Sequence, residues 1–209
     1  QAVEKYVNTK DFKEVDLVKR DILNLYKDDI VKYSGDDSVK VQSIFEEIPS
    51  QLQKHEKRFS FNAIQKDARY RDYKDAFFLL QESMIVNSAY NTTEPNIGLR
   101  LNRESSALKC YMGDTGLLIS LAFDEKGLVD EEVYKKILFN KFAFNEGMIM
   151  ENIVAQMLTA TGKNYTFSSL NKFRNKYKEY LSTGYVLYID DLKVEDDIVF
   201  LPIYMTCLL

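Results

Sequence analysis

Two carboxylates stand where bulk burial would not ask for them. Asp114 lies between two glycines in K-C-Y-M-G-D-T-G-L-L at 109–118, and Glu151 interrupts the apolar run Met148, Ile149, Met150, Ile153, Val154, Met157. That helix is apolar nearly all round, so Glu151 is expected to be buried, and a buried carboxylate needs a partner, a proton or a metal. Glu151 is therefore the candidate catalytic residue, with no metal assigned. The alternative is a structural carboxylate satisfied by a nearby amide or base, with Asn152 exposed beside it. Asp114 reads more simply as an Asx-turn residue bonding the backbone around Thr115 and Gly116.

A second constellation is cationic. Residues 54–74 carry 7 basic and 3 acidic side chains, against 8 and 11 in residues 1–53 and 13 and 18 in residues 75–209. One short segment is thus positive on a chain of net charge -4. Lys57, Arg58, Lys66, Arg69, Arg71 and Lys74 are the candidate nucleic-acid contacts, preceded by Lys54 and interleaved with Phe59, Phe61, Tyr70 and Tyr73. Lys66 and Arg69, three apart on a helix, share a face and suit phosphates beside a major groove. The competing reading is a solvated helix surface on which Arg71 and Lys74 pair with Asp67, Asp72 or Asp75.

Absences narrow the chemistry. No G-x-x-x-x-G-K-[ST] occurs, so the chain cannot hydrolyse ATP by a P-loop mechanism. The single histidine, His55, excludes a histidine-rich hydrolase centre, and no Gly-x-Ser-x-Gly elbow is present. Cys110 and Cys207 lie far apart in apolar runs and read as buried reduced thiols. No charged leader precedes an apolar stretch, and the longest apolar run, 198–209, is short and broken by Pro202. A soluble cytoplasmic protein with no membrane contact is expected.

The elements that must position these residues follow from periodicity. Residues 2–7 enter an amphipathic helix with no cap before it, which suggests an element continuing from upstream. Helices are expected over 12–33, from Ser38 to near Pro49, over 51–56, and over 62–87 with Asn62 as N-cap. Extended runs at 84–90 and 97–101 flank turn residues. Helix, turn, helix and hairpin, in that order, predict a winged-helix domain at 38–108. Beyond it, a strand at 109–112, an apolar stretch at 117–123, helices over 131–142, 146–161 and 169–180, and β-rich runs at 164–167, 185–189 and 198–204 predict an α/β sheet domain over 109–209.

Several runs together resemble a known family. Q-A-V-E-K-Y-V, D-I-L-N-L-Y-K-D-D-I-V-K-Y, I-P-S-Q-L, A-R-Y-R-D-Y, K-C-Y-M-G-D-T-G-L-L and N-E-G-M-I-M-E-N-I-V-A-Q-M-L look like the C-terminal part of predicted prokaryotic AAA-type ATPases. The resemblance implies an ATPase domain before Gln1, with its ATP and Mg²⁺, and residues 1–37 as the helical continuation out of it. A winged helix and a PD-(D/E)xK nuclease-like domain would follow, an α+β to α/β architecture, and no cofactor is expected in this chain itself. Glu151 matches the glutamate on the first helix of the nuclease-like core. The family's Glu-Ile-Asp-Phe and Glu-Val-Lys strands are missing between Phe167 and Ser168, so Glu151 has no visible co-ligands. Residues absent from that junction are expected rather than a shortened domain, since losing two central strands would uncover the flanking helices. The implied function is nucleic-acid binding, duplex DNA being the partner, coupled to the ATPase. The alternative is a protein-interaction or homo-oligomerisation module.

Overall fold

Helix α1 (Ala2–Thr9) ends at Lys10, whose left-handed backbone (φ 54°) returns its N–H to the Tyr6 carbonyl. The chain then reverses into α2 (Phe12–Tyr33), capped by Asp11, whose side chain accepts from the Lys13 N–H at 2.8 Å. A 3-10 turn at 35–37 leads into α3 (Ser38–Gln53). Val41, Ile44, Phe45, Ile48 and Leu52 recur at helical spacing along α3, and each is fully buried. The structure, a computed structural model, describes residues 1–54, 58–92, 102–124, 131–138, 146–160, 184–188, 191–195 and 198–208.

After α3 come a 3-10 turn (Phe61–Ala63), α4 (Tyr70–Glu82), and the antiparallel pair β1 (Val86–Thr92) and β2 (Arg103–Met112). Helices α5 (Thr115–Ala122), α6 (Glu131–Leu138) and α7 (Glu146–Ala160) follow. A three-stranded sheet closes the order: β3 (Gly184–Tyr188) runs parallel to β5 (Ile198–Pro202), and β4 (Lys193–Glu195) runs antiparallel to β5. The 3-10 turn at 203–208 rests on α7. The molecule is thus α+β, mixed helix and sheet. No helix among the described residues is long and apolar enough to cross a membrane.

One hydrophobic cluster runs from Leu23 on α2 through α3, α4 and the hairpin to Leu118 on α5 and Ala155 on α7. The division between 108 and 109 therefore falls inside β2. At its far end, Gly113 brings the backbone close to the start of β1. A Cβ there would lie 2.6 Å from the Met84 carbonyl oxygen, so no side chain fits without moving the strand.

Several expected boundaries are corrected. Helix α3 does not stop at Pro49 or restart at 51; it continues to Gln53. Pro49 forfeits one helical bond, while Ile48 and Leu52 on either side are both wholly buried. The helix expected over 62–87 is two pieces, because Asp67 adopts a left-handed backbone (φ 64°) between Ala63 and Tyr70. Asn62 lies inside the 3-10 turn, and Arg69 is the N-cap residue of α4. Residues 117–122 are helical, and β4 had no expected counterpart. The runs at 97–101, 164–167 and 169–180, and the Phe167–Ser168 junction, lie outside the described residues.

Candidate nucleic-acid interface

The hairpin is not regular. Tyr90 opposes Leu108, yet the next residue, Asn91, opposes Glu104, so Ser105, Ser106 and Ala107 bulge out of the ladder. Bulges of this kind bend a strand and re-aim its side chains. Beside the bulge runs the segment 58–60, held from two directions. The Phe59 N–H donates to the Leu108 carbonyl at 2.8 Å, and the Ser60 N–H donates to Gln51 Oε1 at 3.0 Å. Gln51 is buried on α3 and also donates to Glu47 Oε1 at 2.8 Å, so the amide is fixed before any ligand arrives.

Between this segment, the bulge and the N-terminus of α4 opens a groove of about 940 Å³. Lys54, Arg58, Arg69 and Arg71 line it together with the hydroxyls of Ser60, Ser105 and Ser106, and among the described residues no carboxylate does. Arg58 Nε donates to the Ser106 carbonyl at 3.1 Å, which orients the guanidinium along the bulge. Lys54 Nζ is 3.9 Å from Glu47, and Arg71 Nε is 3.6 Å from Asp72. The first is partly exposed and both members of the second are exposed, and such long surface pairs hold their cations weakly. The floor is rigid, because Phe59, Phe61, Phe77, Tyr70 and Tyr73 form an aromatic cluster with ring centroids 5.1 to 6.0 Å apart. Next to Tyr70, the Tyr90 hydroxyl bonds its phenol, and burial raises the Tyr90 pKa to about 12. The Arg103 guanidinium lies over the Tyr90 ring, 3.2 Å from its centroid.

Of the expected contacts, Arg58, Arg69 and Arg71 are brought together. Lys66 and Lys74 are exposed but do not line the groove, and Lys57 lies outside the described residues. Reading the sequence missed the serines, because the bulge that gathers them is a long-range feature of strand pairing.

The acidic candidate is built differently. Glu151 on α7 is half-buried, not buried, and its Oε2 accepts from Tyr111 Oη at 3.0 Å and faces Lys109 Nζ at 3.3 Å. Asn152, expected at the surface, is wholly buried. Its side chain accepts from the Met112 N–H at 2.9 Å and donates to the Met112 carbonyl at 3.1 Å and to Thr115 Oγ1 at 2.9 Å. One turn on, Gln156 Oε1 accepts from the Thr115 N–H and Oγ1, both at 3.0 Å. Asp114 caps α5 by accepting from the Leu117 N–H at 2.9 Å. Among the described residues no group of three or more His, Cys, Asp or Glu side chains is placed to hold a metal. This arrangement clamps α7 to the β2–α5 junction.

A family model described as a domain of unknown function, DUF8612, matches residues 1–127. The chain belongs to that family. The DUF8612 stretch contains all of the groove and both described partners of the Glu151 carboxylate, while Glu151, Asn152 and Gln156 lie beyond it. No curated protein and no solved structure matches the chain.

Inside the DUF8612 stretch sits a buried polar knot that the sequence did not announce. Asp16 on α2 is wholly buried and accepts from Ser120 Oγ on α5 at 2.6 Å. Lys19 Nζ lies 3.4 Å from Asp16 Oδ1, and Arg20 Nε donates to Asp16 Oδ2 at 2.9 Å. Arg20 also binds Asp124 Oδ1 at 2.8 Å, and Lys27 reaches Asp124 Oδ2 at 3.1 Å. Burial lowers the Lys19 ammonium pKa from 10.5, with Asp16 opposing the shift. Burial likewise pushes the Cys110 thiol far up, in keeping with an inert buried residue.

Proposed function

We propose that this DUF8612 chain binds nucleic acid through a winged helix, as the C-terminal region of an AAA-type ATPase whose motor domain supplies ATP and Mg²⁺ chemistry. Helix α3, the 61–63 turn, α4 and the β1–β2 hairpin have the order of such a domain. Helix α7 and the β3–β5–β4 sheet would belong to the nuclease-like part, with Glu151 on the helix that the family resemblance points to. The observation that carries the reading is the groove: four cations around hydroxyl groups, with no carboxylate among the described residues of its lining.

A backbone held by four cations releases about as many counterions, so the logarithm of affinity should fall with that of salt at a slope of about -3. Fluorescence anisotropy of labelled oligonucleotides across a salt series reads that slope directly. Arg69→Glu with Arg71→Glu should abolish binding. A slope near zero, or full binding by the double variant, refutes the reading.

The second reading is a protein-interaction or self-association module. It is favoured by exposed apolar side chains on the first two helices, Val3, Val7, Leu25 and Val31, each more than half accessible. Self-association that is insensitive to salt and lost in Val3→Ser with Val7→Ser would select it.

A further inference from the structure

Resting on the nucleic-acid reading, the geometry points to a single strand rather than a duplex as the occupant of the groove. A duplex is read by laying a helix into a major groove about 12 Å wide, between two rows of phosphates. The helix available is α4, and its outward stripe at three- and four-residue spacing is Arg71, Lys74, Asp75, Phe78 and Glu82, all exposed. Two cations and two carboxylates cancel along that stripe. It also carries Phe78, 63% exposed. Inserted in a major groove, Asp75 and Glu82 would face phosphate walls, with Asp72 exposed beside them.

The cations are gathered instead at one end of α4, in a depression floored by aromatic rings. One backbone can follow such a depression without any helix entering a groove. Arg58, Arg69 and Arg71 then take successive phosphates, and Ser60, Ser105 and Ser106 offer hydroxyl donors. Tyr70 is half-buried within the groove, and beyond it the exposed Arg103 guanidinium lies over the Tyr90 ring, 3.2 Å from its centroid. Both present planar faces on which unpaired bases stack, a contact that requires no particular sequence.

Anisotropy with a labelled oligothymidylate and with a duplex of equal length separates the cases. The single strand should bind about ten-fold more tightly, and Arg103→Ala should weaken the single strand alone by about five-fold, the loss of a stacking platform. Lys74→Ala on the outward stripe should leave both affinities within about two-fold, the loss of one peripheral charge. Equal or tighter duplex binding, or a Lys74→Ala loss on duplex as large as that of Arg69→Ala, overturns the single-strand inference and leaves nucleic-acid binding standing. No binding of either oligonucleotide overturns both.

Discussion

The Asp16 knot and the groove employ the same side chains to opposite ends. In the knot, Lys19 and Arg20 are drawn under the surface and matched to Asp16 and Ser120, so that their charges fasten α2 to α5. In the groove, Arg58, Arg69 and Arg71 stay exposed on an aromatic base, Arg58 bonded to a backbone carbonyl and Arg71 beside the exposed Asp72. The difference lies in the acceptors. A carboxylate buried by the fold turns a cation into a structural tie, whereas an exposed one such as Asp72 leaves its cation able to bind something else.

The comparison breaks first, and with the largest effect, at Asp16. Asp16→Ala strands Lys19 and Arg20 without their shared counter-charge and should cost about 3–5 kcal/mol, read from urea denaturation. Asn152→Ala tests whether an uncharged clamp carries similar weight. It leaves the buried Met112 N–H and carbonyl unbonded, so about 2 kcal/mol should be lost in the same assay. Lys19→Met sharpens the knot through pH. Because the folded pKa of Lys19 lies below 10.5, the unfolded chain holds more protons between the two values. Stability contributed by Lys19 therefore rises with pH through that window, and the burial cost is full below it. The wild type should gain on the Lys19→Met variant as the pH is raised, and a gain of opposite sign would mean that Asp16 more than offsets burial. At the small end, Arg69→Ala with Arg71→Ala should change stability by less than about 0.5 kcal/mol, since neither side chain is tied into the core. A larger loss would place the groove cations in the same class as the knot.

How much of this was legible in the residues depends on the range of the forces involved. Helix α2 was, because Asp11 caps it locally and its apolar stripe is periodic. Of the hairpin only the first strand was, since β1 overlaps the extended run at 84–90, whereas β2 begins at Arg103, beyond the run at 97–101 that lies outside the described residues. The break before α4 was not: Ile64-Gln-Lys-Asp-Ala-Arg69 has neither glycine nor proline, yet Asp67 takes a left-handed backbone there while Phe61 packs on Tyr73 and Phe77. The cations of the groove could be counted, but their assembly depends on a bulge set by pairing between β1 and β2. The knot was invisible for a related reason, since Asp16 and Arg20 on an amphipathic helix look like a solvated pair until α5 covers them. Glu151 is half-buried while its neighbour Asn152 is wholly buried, because a helix apolar on nearly every side gives no hint which neighbour will face a backbone strand.

Strand β2 serves the groove with its first half and the α7 clamp with its second. A protease nick or a cloning cut between Leu108 and Lys109 would divide that strand in mid-ladder, stripping Ala89, Ser88, Asn87 and Val86 of their opposite residues in one stroke. Neither product would retain a closed interior, so the half that carries the groove is expected to express in folded form only when the residues that carry Asn152 come with it.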